Sequence, residues 1–140
     1  MNRTEILIAG HGGQGILLLG DYIAYSSMLE GNHVVYTPSY GPETRGGKAK
    51  CYVIISDHVI DSPIADEPDM LIVMNQPSMD FEPLLKPGGS FIYNSSLIDR
   101  KPMRSDIREV RIPATEIADS LKGEATDLPP EVKETSIASN

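Results

Sequence analysis

The chain has 140 residues, and its 20 acidic against 12 basic side chains leave a formal charge of −8. That length suits one domain with a single core. Because a negative field of this size repels nucleic-acid phosphates and anionic membrane surfaces, we expect neither a nucleic acid nor a membrane as a partner. The sequence also lacks the apolar run of about eighteen residues that a spanning helix needs, and its start lacks a signal-peptide pattern, which predicts a cytoplasmic protein.

The chain's one cysteine limits its redox chemistry. A single thiol forms no internal disulfide and cannot supply the four thiolates of an iron–sulfur cluster. Cys51 lies in the strand-like run K-C-Y-V-I-I-S, which indicates a buried, inert thiol. The serines and histidines form no nucleophile–base motif, and the acidic residues between 57 and 69 lack the spacing of metal ligands, so we predict no catalytic residue and no metal site.

The first elements in chain order predict a Rossmann-like unit. Residues 5–9 are typical of a buried strand, and residues 14–30 carry apolar side chains at helical spacing, with Gly31 as the stop. Residues 33–36 form the next predicted strand. A strand, a helix and a second strand joined tightly indicate a parallel crossover.

The remaining elements predict a mixed sheet. Residues 37–48 are a Gly- and Pro-rich loop without helical periodicity, so the strand at 49–56 is expected to run antiparallel to its predecessor. Three more strands are predicted at residues 70–74, 90–94 and 107–112. A short helix at 77–85, which Pro83 disturbs, and a final helix at 114–121 are also predicted. We therefore expect a three-layer α/β/α domain with a mixed, mostly parallel sheet over residues 1–121, followed by a polar flexible tail over 122–140.

A glycine fingerprint lies between the first strand and the first helix. Gly10, Gly12 and Gly15 fit G-x-G-x-x-G, a loop whose backbone N–H groups approach a phosphate at the positive end of the helix. NAD also requires an acidic residue about 20 residues on, at the end of the second strand, where this chain has Tyr36, Thr37 and Pro38. Three interpretations remain open: an NAD or FAD site, a tight turn without a ligand, and a site for another phosphate compound, which we favour.

A second glycine-rich loop, S-Y-G-P-E-T-R-G-G over residues 39–47, leaves the end of the second strand. Ligands of open α/β sheets bind at that carboxyl edge. Arg45 offers a planar fork of donors to a phosphate or carboxylate, and Glu43 is placed to orient it. The alternative is an ordinary surface ion pair between these two residues.

The two loops together resemble those of the gamma subunit of 2-oxoacid:ferredoxin oxidoreductases, closest to the 2-oxoglutarate and 2-oxoisovalerate types. The resemblance rests on G-H-G-G-Q-G at 10–15 with Y-G-P-E-T-R-G-G at 40–47, and it extends through I-D-S-P, N-Q-P-S and I-P-A-T-E-I-A over about residues 5–119. Past residue 119 the family usually continues with a segment like G-N-x-x-x-x-N-M, which polar residues replace here.

The resemblance implies a required subunit without catalytic residues of its own. The family's complex oxidatively decarboxylates a 2-oxoacid, here 2-oxoglutarate as the leading candidate, to its acyl-CoA and passes electrons to ferredoxin. Thiamine diphosphate and iron–sulfur clusters would lie on alpha, beta and, in some complexes, delta subunits. This chain would hold no tightly bound cofactor but would help bind coenzyme A as substrate.

By analogy, the first loop would receive the phosphates of coenzyme A and the second would shape the neighbouring wall or subunit contact. The residues implied are Gly10, Gly12, Gly13, Gln14 and Gly15 in the first loop, and Tyr40, Glu43, Arg45, Gly46 and Gly47 in the second. Two alternatives stay open: a stand-alone nucleotide- or CoA-binding Rossmann-like protein, and a subunit of the indolepyruvate type. S-Y-G-P-E-T-R-G-G followed by N-Q-P-S argues against the latter.

Overall fold

The computed structural model describes residues 2–12, 15–39 and 49–122, which form a six-stranded sheet with helical elements on both faces. The strands in chain order are β1 (Arg3–Gly10), β2 (His33–Ser39), β3 (Ala49–Ser56), β4 (Met70–Val73), β5 (Ser90–Asn94) and β6 (Arg108–Ile112). The helices are α1 (Ile16–Leu29), a 3₁₀ helix (Gln76–Leu84) and α2 (Ala114–Leu121). In these residues no helix is both long and apolar enough to cross a membrane.

The strands lie in the order β2-β3-β1-β4-β5-β6, and only β3 runs antiparallel to its neighbours. The expected α/β class with a mixed, mostly parallel sheet is therefore confirmed. β1 and β2 run parallel, as the crossover requires, but β3 lies between them and pairs with both. The carboxyl end of β2 is consequently two strand spacings, roughly 10 Å, from that of β1.

The second strand is longer than its sequence indicates. We placed a loop from residue 37 onward, yet β2 continues to Ser39, with Pro38 opposite Cys51 and Ser39 opposite Lys50. Pro38 has no N–H to donate, which argues against a central strand, but β2 is the edge of the sheet, where proline is tolerated. The prediction of a loop at 37–39 was therefore wrong.

Two apolar cores flank the sheet, because β1 presents alternate side chains to opposite faces. On one face α1 packs against β1 and β3; this core contains Ile6, Ile8, Ile16, Ala24, Cys51 and Val53. On the other face the 3₁₀ helix and the segment after β5 cover the strands; this core contains Leu7, Leu71, Val73, Met79, Leu85, Phe91, Tyr93 and Ile98. The two cores give the three layers.

The connections leave β1 and β4 in opposite directions. From β1 the chain passes through α1 towards the β2 edge, whereas from β4 it passes through the 3₁₀ helix on the other face towards β6. The carboxyl ends of β1 and β4 therefore form a topological switch point, where ligands of open α/β sheets bind.

Candidate functional site

The start of α1 lies at this switch point. Gly15 precedes the helix with φ at +75°, a left-handed conformation that glycine adopts without steric cost, and its carbonyl accepts the N–H of Leu19 at 2.8 Å. The first N–H groups of an α-helix have no acceptor within the helix, and in the described residues no side chain caps α1. The helix start therefore offers N–H donors and a positive dipole to an anion.

His11 and Gly12 lie between β1 and this helix start. The Nδ1 atom of His11 is 2.6 Å from the carbonyl oxygen of Gly12. Because a carbonyl oxygen only accepts, Nδ1 is the donor in this contact.

The structure describes three of the proposed phosphate-loop residues. Gly10 is buried at the end of β1, opposite Ala49, and Gly12 and Gly15 lead into α1. The other proposed site residues lie outside the described residues; they are Gly13, Gln14, Tyr40, Glu43, Arg45, Gly46 and Gly47. The described ends of the second loop, Ser39 and Ala49, stand at the same edge of the sheet as Gly10.

An open apolar groove of about 360 Å³ begins beside the start of α1. α1 covers β1, β3 and β2, but in the described ranges no helix covers the same face of β4, β5 and β6. The groove is lined by Gly15, Ile16, Leu19, Ile72, Val73, Met74, Ile92, Tyr93, Asn94, Ile112 and Ala114. The groove was not predicted from the sequence, although Ile72, Ile92 and Ile112 put apolar side chains on three neighbouring strands.

Asn94, also missed, fixes one wall of this apolar groove. Its side chain is 1% exposed, and its Oδ1 accepts the N–H groups of Ala114 at 3.0 Å and Ser96 at 3.2 Å. Its Nδ2 donates to Thr115 Oγ1 at 2.9 Å and to the Met74 carbonyl at 3.4 Å. Asn94 thus caps α2 from a distant strand and ties the ends of β4, β5 and α2 together.

The 3₁₀ helix starts at the same edge, on the other face of the sheet. Asn75 caps it by accepting the N–H of Ser78 at 3.2 Å, and the buried Ser78 hydroxyl finds no hydrogen-bond partner among the described residues. The Lys50 ammonium lies 5.2 Å from the centre of the Phe81 ring, a cation–π distance. The sequence N-Q-P-S indicates the start of this 3₁₀ helix, because an asparagine cap followed by proline is typical of a helix start.

Cys51 lies beneath α1 as a structural group. It is fully buried, and its Sγ donates to the Ile16 carbonyl oxygen at 3.6 Å. Burial raises the pKa of the thiol to about 12, so the reactive thiolate does not form near neutral pH. The prediction of a buried cysteine is confirmed, and its inertness stays a prediction.

Tyr93 faces away from α1, and its hydroxyl, like the Cys51 thiol, stays protonated near neutral pH. Burial and the carboxylate of Glu109, which accepts the tyrosine hydroxyl at 2.5 Å, raise the pKa of Tyr93 to about 12. Its ring meets Phe91 edge to face at a centroid distance of 5.9 Å. Tyr93 therefore serves the packing of the core.

Four charged residues at the opposite edge of the sheet form two ion pairs. A cavity of about 310 Å³ is lined there by Arg3, Glu5, Glu67, Asp69 and Lys86. Arg3 contacts Glu5 at 3.0 Å and Lys86 contacts Asp69 at 3.3 Å, while Asp69 also accepts the Glu5 N–H at 2.8 Å. Across residues 2–12, 15–39 and 49–122, no three His, Cys, Asp or Glu side chains are grouped to hold a metal.

The described geometry suits a ligand with an anionic end and an apolar part. The uncapped start of α1 would suit an anion, and the apolar groove beside it would suit an apolar group. NAD fits less well, because β3 separates β1 from β2 and the end of β2 carries Thr37 and Pro38 where an acidic residue would bind the ribose.

Comparisons with known proteins give one consistent family. The family described as "Pyruvate ferredoxin/flavodoxin oxidoreductase" matches residues 5–135. A ketoisovalerate oxidoreductase subunit VorA from Methanothermobacter marburgensis is 41% identical over 117 residues, which is 83% of this chain but 24% of VorA. This chain therefore spans about a quarter of the VorA relative.

Two further relatives match over more of their length. A 2-oxoglutarate synthase subunit KorC from Methanothermobacter thermautotrophicus is 41% identical over 128 residues, covering 86% of this chain and 68% of KorC. The crystal structure of a keto/oxoacid ferredoxin oxidoreductase gamma subunit from Geobacter sulfurreducens superimposes with a TM-score of 0.77 at 30% identity, covering 99% of this chain and 71% of that one.

Proposed function

This chain belongs to the pyruvate ferredoxin/flavodoxin oxidoreductase family, and from that premise we propose that it is the gamma-type subunit of a CoA-acylating 2-oxoacid:ferredoxin oxidoreductase. The proposal assigns no catalytic residue to this chain. Iron–sulfur clusters are assigned to partner subunits, since the single cysteine is buried and protonated. Thiamine diphosphate is assigned to partner subunits from the family resemblance.

The names of the relatives narrow the substrate class. VorA acts in a ketoisovalerate oxidoreductase and KorC in a 2-oxoglutarate synthase, and both are 41% identical to this chain. We favour 2-oxoglutarate, because KorC matches this chain over 68% of its own length, with 2-oxoisovalerate as the alternative.

The observation that carries the proposed role in binding coenzyme A is the uncapped start of α1 beside the apolar groove. Coenzyme A joins phosphates to a long, weakly polar arm, and these two surfaces match the two parts of such a ligand. The backbone of Gly12, Gly13, Gln14 and Gly15 would hold the phosphates. The guanidinium of Arg45, in the second loop, would donate further hydrogen bonds to them. In the complex the thiamine cofactor supplies the bond-breaking chemistry, whereas this chain binds and orients the thiol substrate.

The test is the apparent KM for coenzyme A of the assembled complex. Arg45→Ala removes a charge-assisted contact to phosphate, so we expect the KM to rise roughly tenfold with little change in kcat. Gly13→Val should raise it further, because a branched side chain blocks close approach of the backbone to a phosphate. Arg100→Ala is the matched control, since Arg100 forms only an exposed pair with Asp80 at 3.4 Å.

Assembly must be intact in each variant, as judged by gel filtration. An unchanged KM in Arg45→Ala would remove that residue from the binding site. An unchanged KM in Gly13→Val would contradict the proposed phosphate loop itself.

A further inference from the structure

Lys50 places a cation at the carboxyl edge of the sheet, on the face opposite α1. It lies in β3 opposite Ala9, one residue before the first glycine loop. Its neighbour Cys51 faces α1, so Lys50 points to the other face, where its ammonium lies 5.2 Å from the centre of the Phe81 ring. In the part of the chain that the structure describes, no carboxylate pairs with this ammonium. Its charge is therefore not neutralised by a described acidic residue.

The two acidic residues of the 3₁₀ helix contact other groups. Asp80 pairs with the guanidinium of Arg100 at 3.4 Å, and the Glu82 carboxylate accepts the backbone N–H of Arg104 at 2.9 Å. Because the whole chain carries a formal charge of −8, an anion that approaches it needs a local cation. Lys50 supplies such a cation beside the 3₁₀ helix.

Ser78 adds a hydrogen-bond donor on the same side of this helix. Its side chain is fully buried, and its hydroxyl has no hydrogen-bond partner among the described residues. Side chains three residues apart in a 3₁₀ helix lie one above the other, so Ser78 shares the helix face of Phe81, which contacts Lys50. Asn75 already caps the helix by accepting the Ser78 N–H at 3.2 Å, so capping does not use the hydroxyl. A buried hydroxyl without a partner is unfavourable, and this one can donate to an acceptor oxygen of a ligand.

These three residues, which we call the lysine site, lie beside the start of the 3₁₀ helix: Lys50, Ser78 and Phe81. The N–H of Met74 donates to the Ala9 carbonyl at 2.9 Å, which holds the start of this helix against the end of β1. The start of α1 lies at the same edge on the other face of the sheet. One ligand with two separate anionic groups would therefore suit both positions.

Coenzyme A has two such groups, a pyrophosphate and a 3′-phosphate monoester on its ribose. A phosphate monoester carries a charge of about −1.5 to −2 near pH 7 and three acceptor oxygens. A lysine ammonium is a compact point charge that suits such a group, and a hydroxyl can donate to a second oxygen.

We propose that the lysine site binds the 3′-phosphate of coenzyme A, and this inference rests on the proposed function. The Lys50 ammonium pairs with the phosphate, the Ser78 hydroxyl donates to one of its oxygens, and the Phe81 ring holds the ammonium in position. The lysine site thereby selects coenzyme A over analogues without this phosphate. It does so without contacting the thiol that reacts.

The test is the apparent KM of the assembled complex for coenzyme A and for dephospho-coenzyme A, which lacks only the 3′-phosphate. For the wild type we expect the KM for dephospho-coenzyme A to be higher by roughly tenfold. Lys50→Gln should raise the KM for coenzyme A roughly tenfold and leave the KM for dephospho-coenzyme A unchanged. Ser78→Ala should lower the ratio of the two KM values about threefold.

Lys86→Gln is the matched control, since Lys86 lies at the opposite edge of the sheet and contacts Asp69 at 3.3 Å. Its ratio of KM values should equal that of the wild type. Gel filtration establishes that each variant complex is assembled.

Equal KM values of the wild type for the two compounds would overturn the lysine site while leaving the proposed function intact. So would a wild-type ratio in Lys50→Gln, or a parallel rise of both KM values, which indicates a structural role alone. A wild-type ratio in Ser78→Ala would remove the Ser78 hydroxyl from the site. A wild-type complex whose oxidation of a 2-oxoacid does not require coenzyme A would overturn the proposed function itself.

Discussion

At the scale of single residues, burial determines the protonation of the Cys51 thiol and the hydrogen-bond partners of Asn94. Cys51 is enclosed between α1 and β3, and Asn94 is enclosed where β4, β5 and α2 meet. Cys51 packs within an apolar core, whereas the Asn94 amide hydrogen-bonds the groups around it.

The thiol of Cys51 should be unreactive in the folded chain. Its pKa of about 12 lies above that of an ordinary cysteine, so raising the pH from 7 to 9 should leave the thiolate fraction negligible in the native state. We expect labelling by a disulfide reagent to be slow at both pH values and to become rapid and stoichiometric in denaturant. Rapid labelling of the native chain that increases with pH across this range would contradict the buried placement.

Asn94→Ala should destabilise the chain by about 2 kcal/mol, because it removes the acceptor of the Ala114 N–H and the donor to Thr115 Oγ1. Urea unfolding followed by circular dichroism measures the change. Asn2→Ala is the control, since Asn2 is exposed, and it should stay within about 0.5 kcal/mol of the wild type. Equal midpoints for Asn94→Ala and wild type would show that the capping contacts do not stabilise the fold.

At the scale of elements, the contact of α1 with the sheet depends on Gly20. A Cβ atom at this position would lie 2.6 Å from Cys51 Sγ and 2.8 Å from the Tyr36 ring. That ring is anchored, because its hydroxyl donates to the Leu17 carbonyl at 2.7 Å. Only glycine at position 20 therefore allows the helix to approach β2 and β3 this closely.

Gly20→Ala should lower the free energy of unfolding by about 1–2 kcal/mol. In an exposed helix the same change stabilises by roughly 0.5–1 kcal/mol, but here overpacking costs about 1–3 kcal/mol. Ser26→Ala, on the exposed side of the same helix, is the control and should be neutral or slightly stabilising. A stabilised Gly20→Ala variant in thermal melts would show that the helix has room to move outward.

The elements themselves were predictable because their signals are local. The apolar spacing of residues 14–30 predicted α1, and the run at 70–74 predicted β4, each within two residues of the observed bounds. The insertion of β3 between β1 and β2 was not predictable, since strand order depends on pairing between residues far apart in the sequence. The same holds for Asn94, whose role as a cap joins two elements about twenty residues apart.

At the scale of the whole molecule, the described residues leave an apolar groove uncovered beside the start of α1. The sequence resemblance predicted the family, but the groove depends on which part of the sheet remains without a helix over it. We propose that this groove receives the apolar part of the substrate.

The most direct test of this account is a gentle affinity purification of the chain from its own cells, followed by an assay of viologen reduction. We predict that partner subunits co-purify and that reduction requires both a 2-oxoacid and coenzyme A, with 2-oxoglutarate preferred over branched-chain oxoacids. A chain that purifies alone, without any activity that depends on both compounds, would contradict the account.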